Sequence, residues 1–380
     1  MSSSPGRSIE VDLLRGVALI VITIDHISVS VLAHAMLHNY AYCDAAEVFV
    51  FLGGYASAAG YTSIAARRGE GAARRRFARR AWEIYRAYLL TAALMIACGA
   101  IVAALPIASP LVGESGWPMF AHRPAQALID IATLRQQPFL SAVLPMYPLF
   151  ALSISFAIPL ARRTPVASFT LSLTMWLAAP WLAGCLPGVA EWPFNPFAWQ
   201  LLFMLGLLCR LYPVPVRMQT STAGHLLTGA AVAVALAFAF VKVCIDTHPS
   251  PGFMKQNLAS VRVVSFLALA WLCAQAARAG WLRTAAERLP AVVAVGRQGL
   301  VCFVGGTLVS IVADTVVRLL HAQANGLARL TSDIAAVAAL LLLARLAQAY
   351  QRVGAAAPRM AARSVRVTSS VPPAPARRDR

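Results

Sequence analysis

Arg15 and His26 lie eleven residues apart in the first apolar stretch of the chain. On a helix of roughly 3.6 residues per turn they project from one face, about 16 Å apart along the axis. A guanidinium near one membrane surface suits a negatively charged donor, and an imidazole further along suits general-base work, because histidine titrates near neutrality. Asp25 is adjacent to His26 but points about 100° away around the helix, so it need not touch it. The plainer alternative is a histidine that satisfies a contact between helices and an arginine that anchors the interface. Spacing leaves both open.

Other polar residues stand where they are expensive, since an ionisable side chain inside a bilayer costs a few kcal/mol or more. Asp12 shares the start of the first stretch with Arg15. Asp44 and Glu47 open the second and, three residues apart, share a helical face. They suit orienting a histidine, binding acceptor hydroxyls or carrying protons; solvation at the headgroup level is the alternative. The run from Arg74 to Arg80, followed by Trp82, Tyr85 and Arg86, reads as a topology signal with an aromatic belt. Guanidinium also pairs bidentately with phosphate, which makes Arg80 and Arg86 candidates for holding a nucleotide-bearing donor. Gln136, Gln137, Tyr147, Asn195, Gln200, Arg262 and Arg297 are weaker candidates for lining a cavity. His34 and His38 are four apart without an evident third ligand, so no metal site is expected.

The elements that must position these residues are apolar helices. The 380-residue chain is 59% hydrophobic and only 13% charged, against about 25% charged in soluble domains. Its apolar blocks run to about 20 residues, enough to span a hydrocarbon core of roughly 30 Å. The expectation is an all-α polytopic bundle with ten transmembrane helices over 11–35, 43–64, 83–105, 138–160, 166–186, 197–212, 223–244, 258–279, 291–317 and 330–351. The first is read as retained rather than as a signal peptide, because Asp25 and His26 interrupt it. Turn signals such as Pro106, Pro110, Pro165, Pro187-Gly188, Pro213, Pro215, Pro249 to Gly252 and Pro290 separate the blocks.

The net charge of +18 lies in loops. One alternate set holds Arg7, the arginines from Arg67 to Arg80, Arg162, Arg163, Arg210, Arg217, Arg278, Arg283, Arg288 and the C-terminal tail. The other holds only Arg123, Arg135, Lys242, Lys255, Arg318 and Arg329. This bias places both termini in the cytoplasm and argues against a nucleic-acid partner, which needs basic residues gathered on a soluble face. Residues 1–352 are expected to form one membrane domain and 353–380 a disordered basic tail. The seven cysteines are odd in number and lack close pairs, so no disulfide framework or zinc site is expected.

Several strings resemble the OpgC family of the broader transmembrane acyltransferase (acyltransferase-3) superfamily. They are IEVDLLRGVALIVITIDHI, DAAEVFVFLGGY, RRAWEIYRAYLL, LRQQPFLSAVLPMYPLF, WPFNPFAWQLLFMLGL and VGRQGLVCF, in that order over roughly residues 7–350. The superfamily's motif of Arg, ten intervening residues and His matches Arg15 and His26. The resemblance implies an inner-membrane, multi-pass enzyme with no permanently bound cofactor. It implies transfer of an acyl group, succinyl for OpgC proper, from cytoplasmic acyl-CoA to hydroxyls of a periplasmic glucan. A homodimer stays open. Gly53 and Gly299 depart from the family, which commonly has Ser at both positions.

In that reading His26 is the general base, with Asp25, Asp44 and Glu47 as its catalytic neighbours, and Arg15, Arg80 and Arg86 hold the donor. The rival is a proton-coupled transporter or flippase for sugar-containing substrates, with Asp25, His26, Asp44 and Glu47 as a proton relay. Such a protein is expected to show an internal repeat with paired broken helices, and the sequence shows none.

Overall fold

The computed structural model describes residues 8–186, 188–246 and 251–368. Pro187 and the start of the Pro249–Gly252 turn lie outside them. All regular structure among the described residues is helical. The principal helices are α1 (Ile9–Asp25), α2 (Ala45–Arg68), α3 (Glu70–Ala103), α4 (Met146–Arg163), α5 (Pro165–Leu177), α6 (Pro196–Leu211), α7 (Thr222–Phe240), α8 (Ser260–Arg278), α9 (Pro290–Arg297), α10 (Gly299–Leu319) and α11 (Gly326–Thr368). Shorter helical turns join them.

Seven segments among the described residues are long and apolar enough to cross a bilayer: Ala45–Arg68, Glu70–Ala103, Phe139–Arg163, Thr222–Ile245, Ser260–Arg278, Gly299–Leu319 and Gly326–Arg352. The protein is a helical membrane protein. Large apolar side chains such as Phe156, Leu177, Trp181, Leu226 and Leu327 lie exposed on the outside of the bundle, as a lipid-facing surface requires and a water-facing one of this size does not.

Two helix crossings set the frame. In the first, a Cβ on Gly54 of α2 would fall 1.9 Å from the Phe203 carbonyl oxygen of α6, and one on Gly206 would fall 2.0 Å from that of Phe51. In the second, a Cβ on Gly16 of α1 would meet the Val292 carbonyl oxygen at 2.1 Å, and one on Gly296 of α9 that of Asp12 at 1.8 Å. Small residues on both partners let the backbones touch. The main apolar core, with Phe49, Tyr61, Phe150, Trp199, Leu202 and Phe203, packs around the α2–α6 crossing.

Several elements differ from the sequence expectation. The first helix was expected over 11–35 with His26 deep inside it; α1 ends at Asp25 and His26 caps it. Residues 27–44 instead form an irregular segment with short 3-10 turns at Leu32–Ala35 and Leu37–Asn39. The cause is competition for the backbone. Buried Asp333 accepts hydrogen bonds from the Ser30 hydroxyl and the Val31 and Leu32 N–H groups, all within 3.0 Å. Buried Asp314 accepts one from the Ser28 hydroxyl at 2.5 Å, and Arg329 donates to the Val29 carbonyl.

The third helix begins at Glu70 rather than residue 83. Arginine is a good helix former, and Ala73, Phe77 and Ala81 give the run a buried face. The fifth stops at Leu177 and resumes only as Ala179–Gly184, because Pro180 removes a backbone donor. The ninth is broken at Gln298, whose side chain exchanges two 2.9 Å hydrogen bonds with Gln351 of α11. Helix α11 runs on to Thr368. Residues 369–380 lie outside the described ones.

Candidate functional site

Helices α1 and α2 run antiparallel, so the end of α1 meets the start of α2. Asp44 caps α2 with its side chain on the Ala46 N–H at 2.7 Å, and Glu47 reaches back to the Asp44 N–H at 2.9 Å, a capping box. A cavity of about 460 Å³ opens here, lined on its polar side by Asp25, His26, Asp44, Glu191, Lys255 and Gln256. Its apolar walls include Phe49, Phe139, Trp192, Phe194 and Phe303.

Three polar atoms of these lining residues are buried without a hydrogen-bond partner among the described residues: His26 Nδ1, Asp25 Oδ1 and Trp192 Nε1. An orphaned buried polar atom costs about 1–3 kcal/mol. Three around one cavity mark a place where a polar ligand replaces water. The charges of Lys255 and Asp44 both act on His26 through space.

Lys255 reaches Asp44 at 2.7 Å. Its segment is fastened by its neighbours: Trp199 Nε1 donates to the Lys255 carbonyl at 2.9 Å, the Asn195 N–H to that of Gln256 at 2.9 Å, and Gln256 Nε2 to those of Ala190 and Trp192. Trp176 Nε1 donates to the Leu258 carbonyl at 2.9 Å. Leu258 is fully buried with φ +48°, a left-handed conformation that persists in a non-glycine residue only when its surroundings hold it. The turn feeds directly into α8 and Arg262.

The sequence-derived candidates divide into groups. Asp25, His26 and Asp44 line the cavity together. Glu47 does not line it: fully buried, it accepts from Arg262 Nε at 2.6 Å, and Arg262 also reaches Asp44 at 3.1 Å. Asp25 turns to His38 Nδ1 at 3.5 Å rather than to His26. With His34 bonded to the Val31 carbonyl, the described residues hold no group of three metal-ligating side chains.

Arg15 lies outside the lining of this cavity. Phe49, at its wall, meets Phe303 at 6.2 Å and Tyr147 edge-on at 5.6 Å. A Cβ on Gly53, one helical turn inward, would stand 3.1 Å from the Tyr147 ring, and one on Gly299 would stand 3.2 Å from Arg15 Nη2. The Arg15 charge acts on the Tyr147 hydroxyl, which is itself buried without a partner. Gly53 and Gly299 therefore sit against the tyrosine and arginine of one inner layer.

The remaining candidates are scattered. Asp12 pairs with Arg297 at 3.1 Å. Arg80 pairs with Glu83 at 3.2 Å, and Arg86 is exposed on α3. Asn195 caps α6, and Gln200 fastens α6 to Ser172 of α5. Gln136 is exposed; the Gln137 side-chain oxygen is buried without a partner.

Lys255, Trp192, Glu191, Gln256 and His38 were not singled out from the sequence as site residues. Lys255 stood among the loop charges alone, because nothing local marks which loop residues fold back over a cavity. Asp314 and Asp333 were legible by the same rule that singled out Asp25, since each is a carboxylate inside an apolar block.

A family model described as OpgC protein matches residues 7–352. The chain belongs to the OpgC family. As a family member it is a membrane acyltransferase of the kind that acts on glucans. No curated protein matches the chain, and no solved structure does either.

Proposed function

We propose that this OpgC family member, as part of the acyltransferase-3 superfamily, transfers an acyl group, succinyl in the first instance, from acyl-CoA on the cytoplasmic side of the inner membrane to hydroxyls of an extracytoplasmic glucan. The observation that carries the reading is the convergence of the unpartnered His26 Nδ1, Asp25 Oδ1 and Trp192 Nε1 around one cavity with aromatic walls. Aromatic faces cover the apolar faces of sugar rings, while the carboxylates, Lys255 and Gln256 supply hydrogen bonds to hydroxyls.

In the reaction an unprotonated nitrogen of His26 takes the proton of the acceptor hydroxyl as its oxygen bonds to the thioester carbonyl carbon. The C–S bond then breaks, and the leaving thiolate takes the proton back from the imidazolium. The products are an ester and free CoA. Lys255 stands near enough to His26 to act on it electrostatically, and a positive charge there favours the oxyanion that forms on the carbonyl. Glu47 and Arg262 act indirectly, by holding Asp44 and so Lys255. The acyl-bearing arm comes from the Arg15 side, so the layer of Phe49, Tyr147 and Phe303 must part for it.

His26→Ala tests the reading. The variant is expected to insert normally and to leave cell-envelope glucan without its acyl substituent, measured by mass spectrometry. Glucan acylated to the normal extent by the variant sinks the assignment of the base.

A further inference from the structure

Trp192 lies in the connection between α5 and α6 and lines the His26 cavity, with only 3% of its surface exposed. The connection is fixed along its length. Gly188 turns it with a φ of +80°, and the Trp192 N–H donates to the Val189 carbonyl at 3.1 Å. Gln256 Nε2 donates to the Ala190 carbonyl at 2.6 Å and to the Trp192 carbonyl at 2.9 Å. Three residues on, Asn195 caps α6 and donates to the Ala179 carbonyl and to Asn257 Oδ1, each at 2.9 Å. Bonds on both sides of the indole hold it in the lining.

An indole N–H only donates, and tryptophans elsewhere inside the bundle use theirs. Trp176 donates to the Leu258 carbonyl, Trp199 to the Lys255 carbonyl and Trp271 to the Thr228 hydroxyl, each at 2.9 Å. Trp192 Nε1 is buried and has no partner among the described residues. A tryptophan of the aromatic belt keeps its ring at the headgroup level; Trp192 is turned inward instead. In the same lining Asp25, Asp44 and Glu191 only accept hydrogen bonds when ionised, while Trp192 and Lys255 only give them. One kind of group answers both demands, and that is the hydroxyl, which donates and accepts at once. Hydroxyls on neighbouring carbons, as a neutral sugar ring carries them, meet the whole set. Because the indole is uncharged, it selects for an oxygen and not for a charge.

We propose that Trp192 determines acceptor specificity: its indole N–H donates to a hydroxyl or ring oxygen of the neutral sugar unit seated beside His26. This rests on the glucan acceptor occupying the His26 cavity, as proposed above. Trp192 moves no proton in the reaction. Its loss therefore weakens the hold on the acceptor and leaves the chemical step and the hold on the donor as they are.

The test uses the full chain in nanodiscs and compares the native protein with Trp192→Phe, which keeps an aromatic ring and removes the N–H. Trp181→Phe, the same change at a residue 71% exposed on the outside of the bundle, is the control. Calorimetry with unacylated glucan purified from cells lacking this chain reads acceptor binding whether or not transfer occurs. Trp192→Phe is expected to bind it about tenfold more weakly, the size of one hydrogen bond lost from a buried donor, with the control unchanged. In steady-state transfer the variant is expected to raise KM for glucan and to leave kcat and KM for succinyl-CoA unchanged; a fall in kcat at native glucan affinity overturns the proposal. A further reading needs no variant. In the native chain, isotopically labelled at the indole nitrogens, added glucan is expected to move one indole N–H resonance downfield, and a spectrum without that shift overturns the proposal. Glucan bound equally by native protein and Trp192→Phe removes Trp192 and leaves the acceptor site standing. Glucan bound by neither overturns both.

Discussion

Arg262 lies between Glu47 and Asp44 with 4% of its surface exposed, and Glu47 is fully buried. Removing one partner from such a group leaves an uncompensated charge, which costs about 3–5 kcal/mol. Arg262→Met is therefore expected to lower thermal stability by that order, measured by unfolding of the purified protein. Lys255→Met is expected to cost less, because the Lys255 side chain is 40% exposed and water screens its pairing with Asp44. Equal losses would show that Lys255 holds the carboxylates as firmly as Arg262 does. Asp25 and His38 give a different expectation. Their contact is partly exposed, so Asp25→Asn and His38→Ala should each reduce transfer by a similar small factor, and the double variant by no more than either. Additive losses in a double-mutant cycle would separate the two residues.

Among the elements, the α2–α6 crossing controls the geometry of the site, because α2 carries Asp44 at one end and α6 follows the segment bearing Trp192. A methyl group on Gly206 would fall against the Phe51 carbonyl, and backbone cannot move aside as a flexible side chain does. Gly206→Ala is expected to reduce the yield of monodisperse protein in size-exclusion chromatography. Gly229→Ala on α7 is the control, since a methyl there meets nothing within 4 Å and alanine is the better helix former. A Gly206→Ala protein as well behaved as the Gly229→Ala protein would refute the close crossing. The irregular segment after α1 shows the same dependence: Asp333, about 300 positions away, takes the Val31 and Leu32 N–H groups that would otherwise extend the helix.

Among the described residues, seven apolar segments reach full spanning length, while α1, α5 and α6 are shorter. At 17 residues, α1 covers roughly 26 Å, which thinning of the bilayer or snorkelling of flanking side chains can match. Counting these three as crossings gives ten, an even number, and puts both ends of the chain on the arginine-rich side. Reporter fusions at residues 1 and 352 are expected to report the same, cytoplasmic compartment. Opposite compartments would remove at least one of the short helices from the crossings. The 34-residue α3, roughly 51 Å long, outruns the hydrocarbon core, so its arginine-bearing first turns project beyond it.

What the sequence determined by itself was whatever depends on solvent and local spacing. Blocks of apolar residues dictate membrane helices because backbone polar groups have no other partner in lipid, and the order of the strings carried the family. The shared start of the site was also legible, since Asp25, His26 and Asp44 flank one connection. Tertiary structure alone decided which carboxylate meets which cation: Glu47 with Arg262, Asp25 with His38, Lys255 with Asp44. It also left Arg15 outside the lining of the His26 cavity. Helical period fixes the face on which a side chain leaves its own helix. Which neighbour awaits it there depends on contacts between residues far apart in the chain, and no local pattern encodes those.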